Sequence, residues 1–226
     1  MRTLPFVLCL LLVVACGSPD EKKLPREAPA TSARAAAAVD PDVYVVAAGG
    51  RGSRPYRAQR FEGADWVEWE LAFDATAAYD FSDQPYAVDQ YDWNKLVGLK
   101  WDFFRSRENT LLVGWRYNLA DERVELAPYL HQNGNRQMHD PVFFVAPEER
   151  FRVRIDWSEA GRAVYSFQKS GDQPVVESYA YRAPGNAPWQ ILHWFGGTQA
   201  APHDITLRLY ATRTSADAET TSPPGN

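Results

Sequence analysis

The central part of the chain alternates apolar and polar residues with a period of two. Residues 151–157 (FRVRIDW) alternate without a break, residues 205–209 (ITLRL) do the same, and residues 67–73 place Val, Trp, Leu and Phe at every second position. This period is typical of β-strands with one buried and one wet face. Turn-forming pairs such as Asn133-Gly134 separate the runs, and no stretch of about twelve residues repeats at the helical period. The pattern therefore predicts about ten antiparallel strands in a sandwich or barrel.

One hairpin can be predicted together with its register. A tight turn at Ala120-Asp121 joins a strand over residues 110–118 to a strand over residues 122–130. This turn sets Arg116 opposite Glu125, whereas a slip of one residue would mix apolar and polar side chains on each face. One face is then apolar. The other face carries polar and aromatic residues, namely Arg116, Asn118, Glu125, Tyr129 and His131.

The N-terminal end has a different pattern. Arg2 precedes an apolar run over residues 4–14, which is shorter than the about 20 residues of a membrane-spanning helix and is typical of a signal peptide. Residues 13–16 (VVAC) resemble the lipobox of bacterial lipoproteins. That resemblance implies a diacylglycerol and a further acyl chain such as palmitate on Cys16, and Gly17 after it implies the cell outer membrane, on its periplasmic or surface face. An ordinary secreted protein that is cleaved after Ala15 is the alternative.

These patterns divide the chain into four parts. We expect a signal peptide over residues 1–15, then the lipidated Cys16 with a disordered tether rich in Pro, Ala and charge up to residue 41. A single sandwich domain follows over residues 42–211, and residues 212–226, which are polar, are predicted to be a disordered tail.

Composition narrows the classes of function. The net charge is −5 and basic residues do not cluster, so no nucleic-acid partner is expected. The two cysteines are Cys9 in the leader and Cys16, which leaves the domain without a disulfide, a cysteine metal site or a cysteine nucleophile. Serine-hydrolase, zinc-protease, P-loop and dinucleotide motifs are also absent from the sequence. Eight tryptophans serve either core packing or sugar stacking.

Three blocks together resemble a group of uncharacterised bacterial proteins with a concanavalin A-like jelly roll. They are WNKLVGL at residues 93–99, GWRYN at 114–118, and FGG at 195–197 followed by APHD at 201–204. The resemblance covers about residues 60–210 and implies an all-β antiparallel sandwich of one domain. It implies no activity, since the wider class includes lectins, carbohydrate-binding modules, glycanases and polysaccharide lyases.

The first candidate site is the polar face of the predicted hairpin, with Arg116, Glu125, Tyr129 and His131. In a concave groove, Tyr129 would stack on a sugar and Arg116 would bind a uronate carboxylate through two hydrogen bonds. On a convex face the same residues would be solvated, and Arg116 and Glu125 would form an ordinary ion pair.

Two further candidates lie near the C-terminal end of the domain. Alternation predicts that one of His193 and Trp194 enters the core while the other faces a ligand, unless the following glycines form only a strand-ending turn. His203 and Asp204 could contact a metal, such as a structural calcium. The alternative is a turn in which Asp204 caps local backbone N–H groups. Beside predicted turns, Trp93 and Trp189 are expected to be exposed.

The function class stays open at this point. The sequence favours a membrane-anchored, non-catalytic protein that binds a glycan or another ligand of the cell envelope. One alternative is a polysaccharide lyase or glycoside hydrolase of the jelly-roll type, and another is a structural envelope protein that acts through protein partners.

Overall fold

The computed structural model describes residues 40–105 and 107–220, with side chains to residue 217. Strands account for nearly all of its regular structure. They are β1 (Asp42–Val46), β2 (Trp66–Phe73), β3 (Asn94–Lys100), β4 (Thr110–Asn118), β5 (Arg123–Gln132), β6 (Asn135–Met138), β7 (Phe143–Val145), β8 (Phe151–Asp156), β9 (Arg162–Lys169), β10 (Val175–Ala180), β11 (Trp189–Ile191) and β12 (Ile205–Thr214). Short 3-10 helices cover Ala75–Ala77 and Ala87–Tyr91, and α1 covers Ser215–Thr220. Within these described ranges no helix has the length and apolarity needed to cross a membrane.

The strands form two antiparallel sheets. The first sheet has the order β1-β12-β2-β8-β9-β10, and the second has the order β11-β3-β4-β5-β6 with β7 also paired to β5. The sheets enclose a common hydrophobic core between them. The predicted fold class, an all-β antiparallel sandwich of the jelly-roll kind, is confirmed.

The period-two pattern explains the core. In β2 the side chains of Val67, Trp69, Leu71 and Phe73 are fully buried, as the alternation predicts. Phe73 meets Trp115 of the second sheet with ring centroids 4.7 Å apart. Each large apolar side chain buried in this way contributes about 1.5–3 kcal/mol, so the domain is held by packing.

The predicted hairpin register is also confirmed. In β4 and β5, Trp115 lies opposite Leu126 and Arg116 lies opposite Glu125. Leu111, Trp115 and Leu126 therefore point into the core, and the polar set points away from it, onto the outer face of the second sheet.

The C-terminal boundary needs a correction. β12 continues to Thr214, and Thr212 pairs with Trp69 of β2 before α1 begins at Ser215. The predicted disordered tail is therefore wrong for residues 212–220. Residues 212–214 form a strand because β2 offers a backbone partner for each of them, and Arg213 also pairs with Glu68 at 2.8 Å; composition alone reveals neither contact. The predicted signal peptide, Cys16, the tether up to residue 39 and residues 221–226 lie outside the described residues.

Candidate functional site

The outer face of the first sheet is charged, and its acidic and basic side chains form ion pairs with one another. Arg213 pairs with Glu68, and Arg154 pairs with Asp156 at 2.7 Å while its guanidinium lies 4.0 Å from the ring centre of Trp66. Glu70, which shares a face with Glu68, is 3.3 Å from Arg150. The carboxylates of this face thus have cations beside them.

The outer face of the second sheet is arranged in rows, because residues opposite one another in an antiparallel pair point to the same side. A first row crosses the sheet through Lys100, Thr110, His131 and Arg136. A second row contains Gly98, Leu112, Tyr129 and Met138. A third row contains Trp194, Lys95 and Gly114. The pairing thus brings basic and aromatic residues from distant segments onto one surface.

This surface is concave and forms a groove of about 810 Å³. Lys95, Tyr129 and His131 line it from the sheet, and Tyr56 and Trp194 line it from the adjoining loops. The volume falls within the about 300–1,000 Å³ of typical ligand sites. We call this space the groove. It places the predicted residues Tyr129 and His131 together in a concave site.

His131 is buried at the floor of the groove, with 3% of its surface exposed. Its Nδ1 lies 2.8 Å from the Thr110 hydroxyl, and no described residue hydrogen-bonds to its Nε2. Burial, reinforced by the positive charges of Lys95, Arg107 and Arg136, lowers the pKa of His131 to about 4. The imidazole is therefore neutral at pH 7, and its ring lies 5.1 Å from that of Tyr129.

Lys95 reaches over the same floor. Its Nζ lies 6.0 Å from the ring centre of Tyr129. Burial, and then the charges of Arg107 and Arg136, lower the pKa of Lys95. Among the residues that the structure describes, no carboxylate pairs with these three cations, and the only acidic residue in the lining is Asp92.

Two tryptophans border the groove. The side chain of Trp194 is 42% exposed, and its backbone pairs with Lys95 and Gly52. Trp93 lies over Gly114, where an added Cβ would come within 3.1 Å of the indole. Gly114 thus allows an aromatic ring to lie close to the sheet surface.

The exposure predicted for Trp93 and Trp189 needs a correction, since both are only partly exposed. Trp189 packs against Phe103 with ring centroids 5.1 Å apart, and the Arg60 guanidinium lies 5.6 Å from its ring. These neighbours come from loops that the local pattern around each tryptophan does not show. Trp194 is the most exposed indole of the described part.

Arg116 and Glu125 do not line the groove, although the sequence placed them on one face with Tyr129 and His131. Arg116 Nε donates to Glu125 at 2.8 Å, and its guanidinium lies 4.5 Å from the ring centre of Trp93. Glu125 also accepts a hydrogen bond of 2.8 Å from Asn118, and it is 5% exposed. The pair therefore stabilises the hairpin beside the groove and supports Trp93.

His193 and Trp194 take opposite sides, as alternation predicts. The His193 ring is in the core, 5.4 Å from Trp115 and 6.0 Å from Phe73 by ring centroids. Burial lowers its pKa to about 3, and neither ring nitrogen has a hydrogen-bond partner among the described residues. The ring of His193 is therefore not available to a ligand, whereas Trp194 is.

His203 and Asp204 hold loops together. His203 Nε2 lies 2.8 Å from the Thr76 carbonyl oxygen, and Asp204 Oδ1 accepts from the Ala48 N–H at 2.8 Å. Over residues 40–105 and 107–217, no group of three or more His, Cys, Asp or Glu side chains could hold a metal ion. The predicted metal contact and structural calcium thus find no ligand set here. Asp204 does cap a backbone N–H, but that of the distant Ala48 and not one in its own turn.

Sequence reasoning missed three residues of the groove, Lys95, Arg107 and Arg136. They come from β3, from the loop before β4 and from β6, so no local motif contains them together. A partial signal was present, because Lys95 directly precedes the apolar run over residues 96–99 and Arg136 follows the Asn133-Gly134 turn by two residues.

Comparisons with known proteins show similarity of fold alone. No family model and no curated protein matches the sequence. Among solved structures, the PL-14 alginate lyase from Aplysia kurodai has 13% identity and a TM-score of 0.45, over 68% of this chain and 71% of that chain. A family 7 alginate lyase in complex with substrate has 6% identity and a TM-score of 0.47, over 76% of each chain. A heptameric SAP-like pentraxin from Limulus polyphemus has 12% identity and a TM-score of 0.39, over 76% of this chain and 75% of that chain. This range of proteins selects no activity.

Proposed function

We propose that this domain binds a polysaccharide in the groove. The observation that carries the proposal is the position of Tyr129 and His131 on a concave floor bordered by the exposed indole of Trp194. A tether and a lipid anchor at Cys16, as expected from the sequence, would present this groove from the cell envelope. The protein would then act as a glycan-binding lipoprotein.

The chemistry of the lining supports a sugar ligand. Aromatic faces pack against the C–H faces of sugar rings, and Trp194 and Trp93 both belong to the groove lining. Hydroxyl groups need polar partners, which Tyr129, Gln190 and the free Nε2 of His131 supply.

The Trp194→Ala variant tests this proposal. Loss of one stacking ring removes about 0.5–1.5 kcal/mol, so we expect affinity for the bound polysaccharide to fall about two- to twelvefold. Affinity electrophoresis and calorimetry against a panel of acidic and neutral polymers would measure it. Trp66→Ala is the matched control, because Trp66 lies on the outer face of the first sheet under Arg154. Equal affinity of both variants and the wild type would contradict the proposal, as would a panel without any binder.

A second candidate function is eliminative cleavage of a uronate polymer. The observation that favours it is a neutral imidazole beside a phenol in a groove that also holds a cation, since His131, Tyr129 and Lys95 lie together. His131 Nε2 would take the proton from C5 while the C4–O bond breaks and a C4–C5 double bond forms. The Tyr129 hydroxyl would protonate the leaving glycosidic oxygen, and water would restore both groups. Lys95 would stabilise the charge that develops on the carboxylate.

His131→Gln and Tyr129→Phe separate this candidate from binding alone. If cleavage occurs, wild-type protein converts a polyuronate to products whose conjugated double bond absorbs in the ultraviolet. We expect each variant to lower that rate at least a hundredfold, because positioned proton transfer contributes about 10²–10⁴-fold. Binding of the polymer should persist in both variants. Bound polyuronates that give no unsaturated product would exclude the lyase and leave glycan binding intact.

A further inference from the structure

The groove holds more cations than carboxylates, since its lining contains five lysines and arginines and one acidic residue, Asp92. Lys95, Arg107 and Arg136 all line the groove together with His131, so their charges act on one small region. None of the three makes an ion pair within the described ranges, whereas Arg213, Arg154 and Lys169 on the first sheet are all paired. This asymmetry occurs in a chain whose net charge is −5.

Lys95 is the most informative of the three. An ammonium group that leaves water loses hydration, a cost that a protein normally offsets with a carboxylate or several acceptors. Lys95 has neither among the described residues and instead lies near the Tyr129 ring, 6.0 Å from its centre. Lys95 is half-buried and lines the groove, so an acidic group on a bound ligand would supply the partner that it lacks.

We infer that the groove binds the acidic group of a polysaccharide, a carboxylate or a sulfate ester, with Lys95 as the inner contact and Arg107 and Arg136 at the rim. This inference rests on the proposed function and deepens it by naming the class of polymer. A glycan chain fits better than a flat membrane surface, because the cations lie inside a concave groove beside Trp194. A carboxylate or sulfate supplies the acceptor that Lys95 lacks, and Tyr129 and Trp194 contact the sugar that carries it.

The test compares four versions of the protein against three polymers. The proteins are wild type, Lys95→Gln, Arg136→Gln and the control Lys169→Gln. The control removes one positive charge from the first sheet, where Lys169 pairs with Glu149 at 2.9 Å. The polymers are a polyuronate, a sulfated polysaccharide and a neutral polysaccharide. Thermal unfolding checks the fold of every variant, and Arg136, which is exposed, serves as the independent probe if Lys95→Gln is unstable.

The expected result is binding of at least one acidic polymer that weakens as salt screens the charges. Lys95→Gln should lower that affinity at least tenfold, Arg136→Gln should lower it several-fold, and Lys169→Gln should leave it unchanged. The acidic polymer that binds more tightly identifies the group as carboxylate or sulfate.

Two results would overturn the inference alone. In one, the acidic polymers bind equally well to Lys95→Gln, Arg136→Gln and wild type. In the other, only the neutral polymer binds, and it does so through Trp194. If none of the three polymers binds to the wild type, the proposed function fails together with the inference.

Discussion

At the scale of single residues, burial decides which side chains can act. His131 and His193 are both buried and neutral, but His131 has a nitrogen free on the groove side while His193 is enclosed by Phe73 and Trp115. The sequence presents them as equivalent histidines in strands. Their different roles follow from whether loops or the opposite sheet cover the ring.

The low pKa of His131 predicts acid sensitivity. The unfolded chain takes up a proton near pH 6.5 and the folded protein only near pH 4, so the unfolded state binds more protons between these values. Stability is therefore retained above pH 6.5 and lost as the pH falls toward 4, by about 3 kcal/mol from this residue. Urea unfolding at several pH values should show a shallower loss for His131→Gln than for wild type. Equal slopes, or an NMR titration of His131 near 6.5, would contradict this account.

At the scale of elements, the ladders that join β4 to β5 and β12 to β2 determine the surfaces. The β4–β5 register follows from a short turn and a strict alternation, which is why the sequence predicts it. The end of β12 has no such pattern, because Thr212, Arg213 and Thr214 are all polar. These residues form a strand since β2 offers a partner for each of them.

The corrected end of β12 predicts where the chain can be shortened. Truncation after residue 211 removes the residues that pair with Val67, Glu68 and Trp69, together with the Asp65 N–H bond to the Ser215 hydroxyl at 2.9 Å. Backbone hydrogen bonds contribute about 1 kcal/mol each, so we expect the free energy of unfolding to fall by about 2 kcal/mol or more. Truncation after residue 220, which keeps β12 and α1, is the control and should match the full chain. If both truncated proteins were equally stable, the stable domain would end at residue 211, as the sequence predicted.

At the scale of the whole molecule, the outer faces of the two sheets differ in how their charges are paired. The first sheet presents cations and carboxylates that pair with one another, so these charges need no partner from outside the domain. The second sheet presents a groove in which Lys95, Arg107 and Arg136 have no carboxylate partner among the described residues, and Trp194 exposes its indole there. A polymer bound there would leave the first sheet facing solvent.

The sequence by itself determined the fold class, the hairpin register and the identity of several buried strand residues. Those features follow from interactions between near neighbours, since a period of two and a short turn constrain a strand whatever surrounds it. The same reasoning correctly paired Arg116 with Glu125 but could not exclude them from the site. The lipid anchor at Cys16 stays a prediction.

Only the tertiary structure decided the site. Lys95, Arg107, Tyr129, Arg136 and Trp194 meet because β3, β4, β5 and β6 lie side by side in one sheet and because the segment after β11 returns to Lys95. Concavity, burial and unpaired charge are properties of that assembly and have no counterpart in the spacing of residues along the chain. Contacts between distant segments cannot be deduced from local periodicity, and the proposed ligand site consists almost entirely of such contacts.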